Sequence, residues 1–366
     1  MGDPTPTERA MTGRSWEDFC DTLKSAGRTI LAEGSPDSPL DRAEGFRYLS
    51  RLTRAALENF LEHADPAAPM LHRPVHETAK IGADNPDNYY QTARISGEYE
   101  YRIVGTRGTI HYLDFATQSG GVASSGDSEQ GGHLDASQLE IAPDGSFEIA
   151  VCRDERPGNW LRTTPDTESL IVRQTFADRT VEEPAKLRLE RVGGDATPAP
   201  LTPEALDRGL ASAAGLVVSC AALFSGWAQG FRDNHCNELP KFDDSISMGA
   251  GGDPNICYYH SYWALGPEEA LVIEVTPPEC DAWNFQLNNH WMESLDYRFH
   301  TIHVNQHTAR YANDGSVRIV VAHRDPGLDN WIDTAGHAQG TMCFRWIRAA
   351  EHPQPHTRVV KLSELA

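Results

Sequence analysis

The chain has 366 residues, 39% of them hydrophobic, and a formal net charge of −21. A chain of this length exceeds one ordinary hydrophobic core, so two domains, or one domain duplicated, are expected. The negative charge repels phosphate backbones and no run of lysine or arginine offsets it, so we expect no nucleic-acid partner. The seven cysteines form no C-x-x-C pair, which argues against a disulfide framework and favours a reducing compartment.

A helical region is predicted at the N-terminus, over residues 1–78. Apolar residues recur at helical spacing between residues 15 and 63, and Ser15 with Asp18 forms a capping-box pattern that predicts a helix start. The first residues, "MGDPTPTERAMTGRSW", lack the basic start and apolar core of a signal peptide. We therefore expect a cytoplasmic protein.

One segment that predicts a strand and turns occurs twice in the sequence. The segment "DGSFEIAVCRDERPGNW" at residues 144–160 recurs as "DGSVRIVVAHRDPGLDNW" at residues 314–331. In each copy Asp-Gly predicts a turn, the residues after it predict a strand, and Pro-Gly predicts a second turn. We expect Trp160 and Trp331 to anchor in the core, with contact to a ligand as the alternative, and the asparagine before each to bond backbone in the turn.

The repeat extends well beyond this segment. A tyrosine pair and a late arginine occur in both copies: Tyr89, Tyr90 and Arg173 in the first, Tyr258, Tyr259 and Arg345 in the second. The offset drifts from 169 (258 − 89) to 172 (345 − 173), as small loop insertions would cause. The sequence predicts a mainly β protein of two tandem, related, jelly-roll-like β-sandwich units, residues 79–195 and 251–366, with N-terminal helices and a buried linker helix. In the first copy, residues 118–133 are expected to form a long loop, either a lid or an exposed insertion.

The linker, residues 196–250, contains a stretch of 23 residues without charge, from 209 to 231. This length is just enough to cross a bilayer. Its Ala, Gly and Ser content instead favours a helix buried against protein, since these residues contribute little transfer energy and allow close backbone approach. We expect no membrane partner.

The second copy resembles a known family. The run from "WNFQLNNHW" through "DGSVRIVVAHRDPGLDNWIDT" to "FRW" is similar to the family catalogued as domain of unknown function 1214, and the first copy resembles a more diverged member. The resemblance implies a β-sandwich of jelly-roll kind and no defined activity. This chain departs from the commoner family form in having "NWID" where "NWLP" is expected.

Histidines are unequally divided between the copies, which points to a site. The first copy holds two, whereas residues 253–366 hold nine. Folding does not require such an excess, so we expect the second copy to carry a polar site, with neutral histidines as general acid or base. The predicted catalytic residues are His290, His303, His307 and His323.

On a strand, His303, Asn305 and His307 would share one face. A divalent metal held by His303 and His307, with a third ligand from His260, His290, His323 or Glu293, is the alternative use of this face. No H-E-x-x-H or close H-x-H pattern supports a metal, so no cofactor is predicted.

Aromatic and charged side chains beside these histidines form the predicted ligand-binding set: Trp291, Glu293, Arg298 and Arg345. Aromatic faces beside fixed charges suit sugars, aryl rings or carboxylated molecules. Arg345 recurs as Arg173, so a buried structural ion pair is its alternative role. The leading hypothesis is a hydrolase or lyase acting on a small organic molecule; the alternative is a non-enzymatic binding protein for a carbohydrate, aromatic or lipid-like ligand. The oligomeric state is not indicated.

Overall fold

The computed structural model describes residues 3–120, 130–194 and 197–365. The chain divides into two compact units, neither of which is one continuous stretch. The first unit comprises Met1–Arg28, Leu49–Ala79 and Asp87–Cys220; the second comprises Thr29–Tyr48, Lys80–Pro86 and Ala221–Ala366. Each unit contains one of the two sequence copies.

The N-terminal region is helical, as predicted. Three helices are present, α1 (Pro6–Thr12), α2 (Arg14–Ile30) and α3 (Pro39–Leu57), and α3 ends in a π-helical turn, Glu58–Glu62. A helix begins at Arg14, one residue before the predicted start at Ser15. The predicted capping role of Ser15 is wrong, because its hydroxyl donates to Asp207 at 2.5 Å, and the capping box formed by Thr5 and Glu8 belongs to α1.

The first unit contains eight strands in two four-stranded sheets. The strand orders are β1-β7-β3-β4 and β6-β5-β2-β8. The bounds are β1 Asn88–Arg94, β2 Tyr101–Thr106, β3 Tyr112–Ser119, β4 Gln130–Asp135, β5 Ser146–Cys152, β6 Trp160–Arg162, β7 Thr167–Thr175 and β8 Lys186–Arg191.

The second unit repeats this topology strand for strand. Its sheets have the orders β9-β15-β11-β12 and β14-β13-β10-β16, which are the first unit's orders with eight added to each label. The bounds are β9 Ile256–Ala264, β10 Glu269–Val275, β11 Ala282–Leu287, β12 His303–Asn305, β13 Val317–Ala322, β14 Trp331–Asp333, β15 Gln339–Ile347 and β16 His356–Lys361. The fold is therefore mainly β and duplicated, as the sequence predicts.

Each unit is a β-sandwich with its own core, because every second residue of a strand faces the space between the two sheets of that unit. In the first unit, Ile103 and Ile149 of one sheet and Phe115 and Val172 of the other are fully buried in one cluster. In the second unit the corresponding cluster is richer in tryptophan and includes Trp263, Trp283 and Trp346, all at most 1% exposed.

The repeated segment has the same hydrogen bonds in both units. Asn159 Nδ2 donates to the carbonyls of Glu140 and Glu148, and Asn330 Nδ2 donates to those of Arg310 and Arg318. The asparagine of each copy thus joins the turn to the sheet, as expected.

The tryptophans of the repeated segment begin short edge strands. Trp160 Nε1 donates to Cys152 O at 3.0 Å, and Trp331 Nε1 donates to Ala322 O at 3.1 Å. Each strand pairs in parallel with its neighbour, β6 with β5 and β14 with β13. Both tryptophans are half-buried, so they lie at the sheet edge rather than in the centre of the core.

Strand register corrects one sequence match. Tyr90 lies opposite Arg173 in the first unit, and Tyr258 lies opposite Arg345 in the second. The equivalent tyrosines are therefore Tyr90 and Tyr258, one residue away from the match of Tyr89 with Tyr258. Each copy has two adjacent tyrosines, so matching the first tyrosine of one pair with the first of the other shifts the match by one residue.

Two helices lie between the copies in sequence, α4 (Pro203–Asn234) and α5 (Asp244–Gly249). The division between the units falls within α4, after Cys220. Among the described residues, α4 alone has the length and composition that could cross a membrane, and 44% of its most apolar window is buried.

Part of the loop predicted at residues 118–133 is a strand instead. Residues 130–135 form β4, paired with β3. Residues 121–129 lie outside the described residues, so the lid and insertion alternatives stay open.

We predict that Asn330→Ala lowers the free energy of unfolding by about 2–3 kcal/mol, because three side-chain hydrogen bonds of about 1 kcal/mol each are lost. Asn330 also has a positive φ of 54°, which alanine tolerates less well. Asn159→Ala is the matched control, since it removes the same bonds without the positive φ and should cost about 1 kcal/mol less. Equal losses in urea titrations of the two variants would contradict this account.

Candidate functional site

One sheet of the second unit carries polar side chains on the face that points away from the core. Because side chains alternate along a strand, Trp283 and Phe285 of β11 enter the core while Asn284 and Gln286 lie on the opposite face. Arg345 of β15 lies opposite Asn284 in the register. These three polar side chains are at most 4% exposed, so each needs hydrogen-bond partners.

Residues 80–86 supply many of these partners. The guanidinium of Arg345 donates to Ala83 O at 2.5 Å and to Gln286 Oε1 at 2.6 Å. Gln286 Nε2 donates to Asp84 O at 2.9 Å, and Asn284 Nδ2 donates to Asn85 Oδ1 at 2.6 Å. This polar face is therefore covered by a segment from a distant part of the chain.

The same segment holds the loop between β11 and β12. Lys80 is 2% exposed, and its ammonium donates to Ser294 O at 2.5 Å and to Leu295 O at 2.8 Å. Asp84 accepts from the Ser294 amide at 2.9 Å and from the Ser294 hydroxyl at 2.8 Å. A buried ammonium and a buried carboxylate thus both bind one short loop at Ser294.

This loop, residues 288–295, forms a tight turn that orients the side chains of His290 and Trp291. Asn289 Oδ1 accepts from the backbone amides of Trp291 at 3.0 Å and Glu293 at 3.1 Å. Trp291 Nε1 donates to Asp41 O at 3.0 Å. Gly45 gives the indole its space, since a Cβ at that position would lie 2.8 Å from the ring.

His290 contacts a tyrosine inside the unit. Its Nδ1 lies 3.0 Å from the hydroxyl of Tyr262, and the same hydroxyl lies 3.3 Å from Gln339 Oε1. The imidazole also packs edge-on against Trp291, with ring centroids 4.8 Å apart. We call His290, Tyr262 and Gln339 the His290 centre.

Burial keeps the His290 centre neutral. Desolvation, reinforced by the positive charge of Arg232, lowers the pKa of His290 to about 3. Desolvation raises the pKa of the Tyr262 hydroxyl well above its ordinary value. Both rings are therefore neutral at pH 7, and the single phenol proton is donated either to His290 Nδ1 or to Gln339 Oε1, according to the histidine tautomer. No described residue is a hydrogen-bond partner of His290 Nε2.

A buried ion pair lies in the same unit. Glu44 Oε2 accepts from His337 Nε2 at 2.8 Å and from Asn289 Nδ2 at 2.9 Å, and Asn289 Nδ2 also donates to Glu293. Burial is the largest single influence and would raise the pKa of Glu44, but the hydrogen bond and charge of His337, the hydrogen bond from Asn289 and the charge of Arg47 together lower that pKa to about 2. Burial disfavours the charged form of His337, whereas the hydrogen bond to Glu44 favours it. The pKa of His337 is raised overall.

The structure separates two histidines that the sequence placed on one strand face. His303 lies on β12 opposite Gln286, but β12 ends at Asn305, and His307 is exposed in the turn beyond it. Asn305 causes this ending, because its Oδ1 accepts from the amides of His307 and Thr308. The predicted shared face for His307 is wrong. Among the described residues, His303 and His307 belong to no group of three ligating side chains close enough to share an ion.

Two further predicted residues lie elsewhere in the unit. His323 Nε2 donates to Leu265 O at 3.1 Å while its Nδ1 accepts from Thr334 Oγ1 at 2.9 Å, so both ring nitrogens are used. Arg298 is a surface residue paired with Asp296 at 2.7 Å. The structure therefore brings His290, Trp291, Glu293 and Arg345 into the buried polar region and leaves His307, His323 and Arg298 outside it.

The first copy fills the corresponding face with charge. Arg173 pairs with the fully buried Asp114 at 2.9 Å, and His133 also contacts Asp114. By strand register Asp114 corresponds to Asn284, and Arg173 to Arg345. Arg173 is thus in a buried ion pair, whereas the Arg345 hydrogen bonds above go to neutral oxygens.

Sequence reasoning missed Tyr262, Glu44 and the segment of residues 80–86. Glu44 and His337 are 293 positions apart, so no spacing rule connects them. The sequence does contain one signal for this segment. In "KIGADNP", residues 80–86, a lysine and an aspartate stand on either side of Ile-Gly-Ala, between the predicted helices and the first strand.

Comparison with known proteins agrees with the duplicated fold. The model of the family described as Protein of unknown function (DUF1214) matches residues 270–351, within the second copy. A crystal structure of an uncharacterized protein from Burkholderia cenocepacia is 56% identical, covers 98% of this chain and 100% of that chain, and has a TM-score of 0.96. The chain belongs to the DUF1214 family.

Other comparisons add little to this family assignment. A solved structure of a Vibrio parahaemolyticus protein is 11% identical, covers 86% of this chain and 98% of that chain, and has a TM-score of 0.49. No curated protein sequence matches the chain. No cofactor-binding family is found among the matches of this DUF1214 protein.

We predict a pH window for the contribution of the Glu44–His337 pair to stability. The lowered Glu44 pKa means that its contribution is full above about pH 4.5 and lost as the pH falls towards 2. The raised His337 pKa means that its contribution is full below about pH 6.5 and lost as the pH rises through the raised value. At pH 5.5, His337→Gln should cost about 1.5–3 kcal/mol, since Glu44 loses a charged hydrogen-bond donor but keeps Asn289 and Arg47.

Urea unfolding from pH 2 to 9 measures this dependence. His300→Gln is the control, because His300 pairs with Asp333 at 2.7 Å at the surface and should cost at most about 1 kcal/mol. A His337→Gln loss that stays constant across the pH range would show that packing, rather than the ion pair, is responsible.

Proposed function

We propose that this DUF1214 protein is an enzyme of the hydrolase or lyase type that acts on a small organic molecule through the His290 centre of the second unit. One observation carries the proposal. The neutral imidazole of His290 is 1% exposed and lies against Tyr262, and no described residue is a hydrogen-bond partner of its Nε2. We assign the tautomer in which the Tyr262 hydroxyl donates to Nδ1 over the shorter contact, so that Nε2 carries the proton. Buried polar groups are ordinarily satisfied, so a ligand oxygen is a natural acceptor for this donor.

The chemistry of a neutral imidazole limits the substrate class. With a pKa of about 3, His290 is a poor base at pH 7 but a good hydrogen-bond donor. A donor aimed at a carbonyl or carboxylate oxygen stabilises the negative charge that develops there during hydrolysis or elimination, typically by a factor of about 10²–10³ in rate. We therefore propose a substrate that carries such an oxygen.

The same residues support a second candidate, a binding protein without catalysis. The imidazole of His290 is flanked by the rings of Trp291 and Tyr262, with centroids 4.8 and 5.8 Å away. Aromatic rings beside one polar donor suit a carbohydrate, an aromatic or a lipid-like ligand. The two candidates differ in whether the bound molecule is changed.

The setting we propose is the cytoplasm. All seven cysteines are free, as thiols in a reducing compartment would be. The net charge of −21 argues against nucleic acid as the partner.

The test is a thermal-shift screen with short-chain carboxylic acids, their esters, aryl acids, sugars and fatty acyl compounds, followed by NMR detection of turnover. A ligand at 100 times its dissociation constant should stabilise the protein by about 2.7 kcal/mol. His290→Asn retains a polar atom near Nδ1 but removes the Nε2 donor, so it should abolish the shift. His290→Gln, which places an amide near Nε2, should retain part of it.

His300→Asn serves as the surface control and should behave like the unchanged protein. Turnover of the stabilising compound supports the enzyme, and stabilisation without turnover supports the binding protein. The proposal fails if no compound stabilises the protein or if His290→Asn responds like the unchanged protein.

A further inference from the structure

Arg232 is a cationic side chain close to the His290 centre. Burial has the larger effect on both rings, but the charge of Arg232 lowers the pKa of His290 and opposes the rise in the pKa of Tyr262. Its hydrogen bond to the Tyr262 hydroxyl acts in the same direction. The side chain of Arg232 is 28% exposed, whereas His290 is 1% exposed. Arg232 therefore reaches from the surface of the second unit to its buried centre.

The segment that follows α4 holds Arg232 in this place. The amide of Asn237 donates to Tyr262 O at 2.7 Å, and Cys236 pairs in parallel with Tyr262. The Asn237 side chain donates to Ala264 O at 2.9 Å and accepts from the Ala264 amide at 3.0 Å. Because this segment begins directly after α4, the last turn of the helix, which contains Arg232, is fixed beside β9.

The contacts of Arg232 with described residues leave part of its guanidinium unused. Nη2 donates to Gln229 Oε1 at 2.8 Å. Asp233 Oδ1 lies 3.8 Å from Nε, beyond hydrogen-bond distance, and both Asp233 oxygens accept from Gln229 Nε2 at 2.7 Å. A guanidinium has more N–H groups than the contacts with Gln229 and Tyr262 require. Arg232 can therefore bind a further acceptor.

A second donor beside Arg232 also needs an acceptor. No described residue is a hydrogen-bond partner of His290 Nε2, although the imidazole is buried. A carboxylate has two oxygens that can accept from a guanidinium and from an N–H group together. Because the chain carries a net charge of −21, its overall field repels anions, and a small anion requires a local cation to bind.

We propose that Arg232 selects the molecule bound at the His290 centre and that this molecule is a small carboxylate anion. The carboxylate accepts from the guanidinium of Arg232 and from Nε2 of His290. This inference rests on the proposed function, since it uses the same imidazole donor, and it concerns which molecule binds rather than whether that molecule is changed.

The position of Arg232 also permits a purely structural role. A cation in the last turn of a helix stabilises the helix through its dipole. That role predicts a lower free energy of unfolding for Arg232 variants but no change in ligand preference. Preference between a charged and an uncharged ligand is therefore the property to measure.

The test compares benzoate with benzamide and acetate with acetamide, because the members of each pair have similar size and differ in charge. Isothermal titration calorimetry of the full chain gives the dissociation constants. We expect each carboxylate to bind at least about 10-fold more tightly than its amide, since it gains a charged hydrogen bond to Arg232. Arg232→Gln should remove this preference by weakening the carboxylates, and Arg232→Lys should retain part of it.

Arg324→Gln is the matched control, because it removes the same charge from an exposed arginine of the second unit, which pairs with Glu268, and should leave the preference intact. Added NaCl should weaken the carboxylates and not the amides, which tests the inference even if Arg232→Gln does not fold.

Equal binding of acid and amide by the unchanged protein would overturn the inference, as would an unaltered preference in Arg232→Gln or a failure of both carboxylates to bind. His290→Asn separates this failure from that of the proposed function. If acid and amide bind equally and His290→Asn abolishes the binding of both, the proposed function stands and the role of Arg232 falls. If His290→Asn binds both compounds like the unchanged protein, the His290 centre is not their site and both proposals fall.

Discussion

The guanidinium of Arg345 is the group on which the second unit's polar face depends. It is 4% exposed and donates to the carbonyl of Ala83 and to the side-chain oxygens of Gln286 and Asn284. A buried cation is tolerated only when its hydrogen-bond donors are satisfied. Those donors orient the Gln286 amide, which holds residues 80–86, and these residues in turn fix the loop that carries His290. The position of the His290 centre therefore depends on the buried charge of Arg345 together with those of Lys80 and Asp84, which bind the loop directly.

Duplication explains why this arrangement is found in only one of the two units. Both sandwiches keep the same strand order, the same asparagine in the repeated turn and an arginine at the same register position. In the first unit that arginine has a carboxylate, Asp114, as its partner, whereas in the second the register position holds Asn284. An amide can donate as well as accept, so it links the arginine to a further segment of chain. The two copies thus differ in how they satisfy the same buried arginine, one with an ion pair and the other with an amide network.

Local patterns in the sequence predicted what depends on local physics. The repeated turns, the strands around them and the asparagine hydrogen bonds follow from the residues present, whereas the catalytic role of His290 and the ligand-binding role of Trp291 stay predictions. The extension of the His303 strand to His307 was wrong, because an Asn305 side chain that captures two backbone amides ends the strand. The Glu44–His337 pair and the contact of His290 with Tyr262 join residues far apart in sequence. Such contacts depend on how the chain closes, which periodicity does not reveal.

The central claim is that His290 is a neutral imidazole with its proton on Nε2, held by the Tyr262 hydroxyl. The most direct measurement is a pH titration of the ring-nitrogen NMR shifts in protein labelled with ¹⁵N-histidine, assigned with His290→Gln. The account predicts a ring that carries its proton on Nε2 throughout and does not titrate between pH 8 and about pH 4, consistent with a pKa of about 3. A ring that titrates near the ordinary value of 6.5, or that carries its proton on Nδ1, would contradict it.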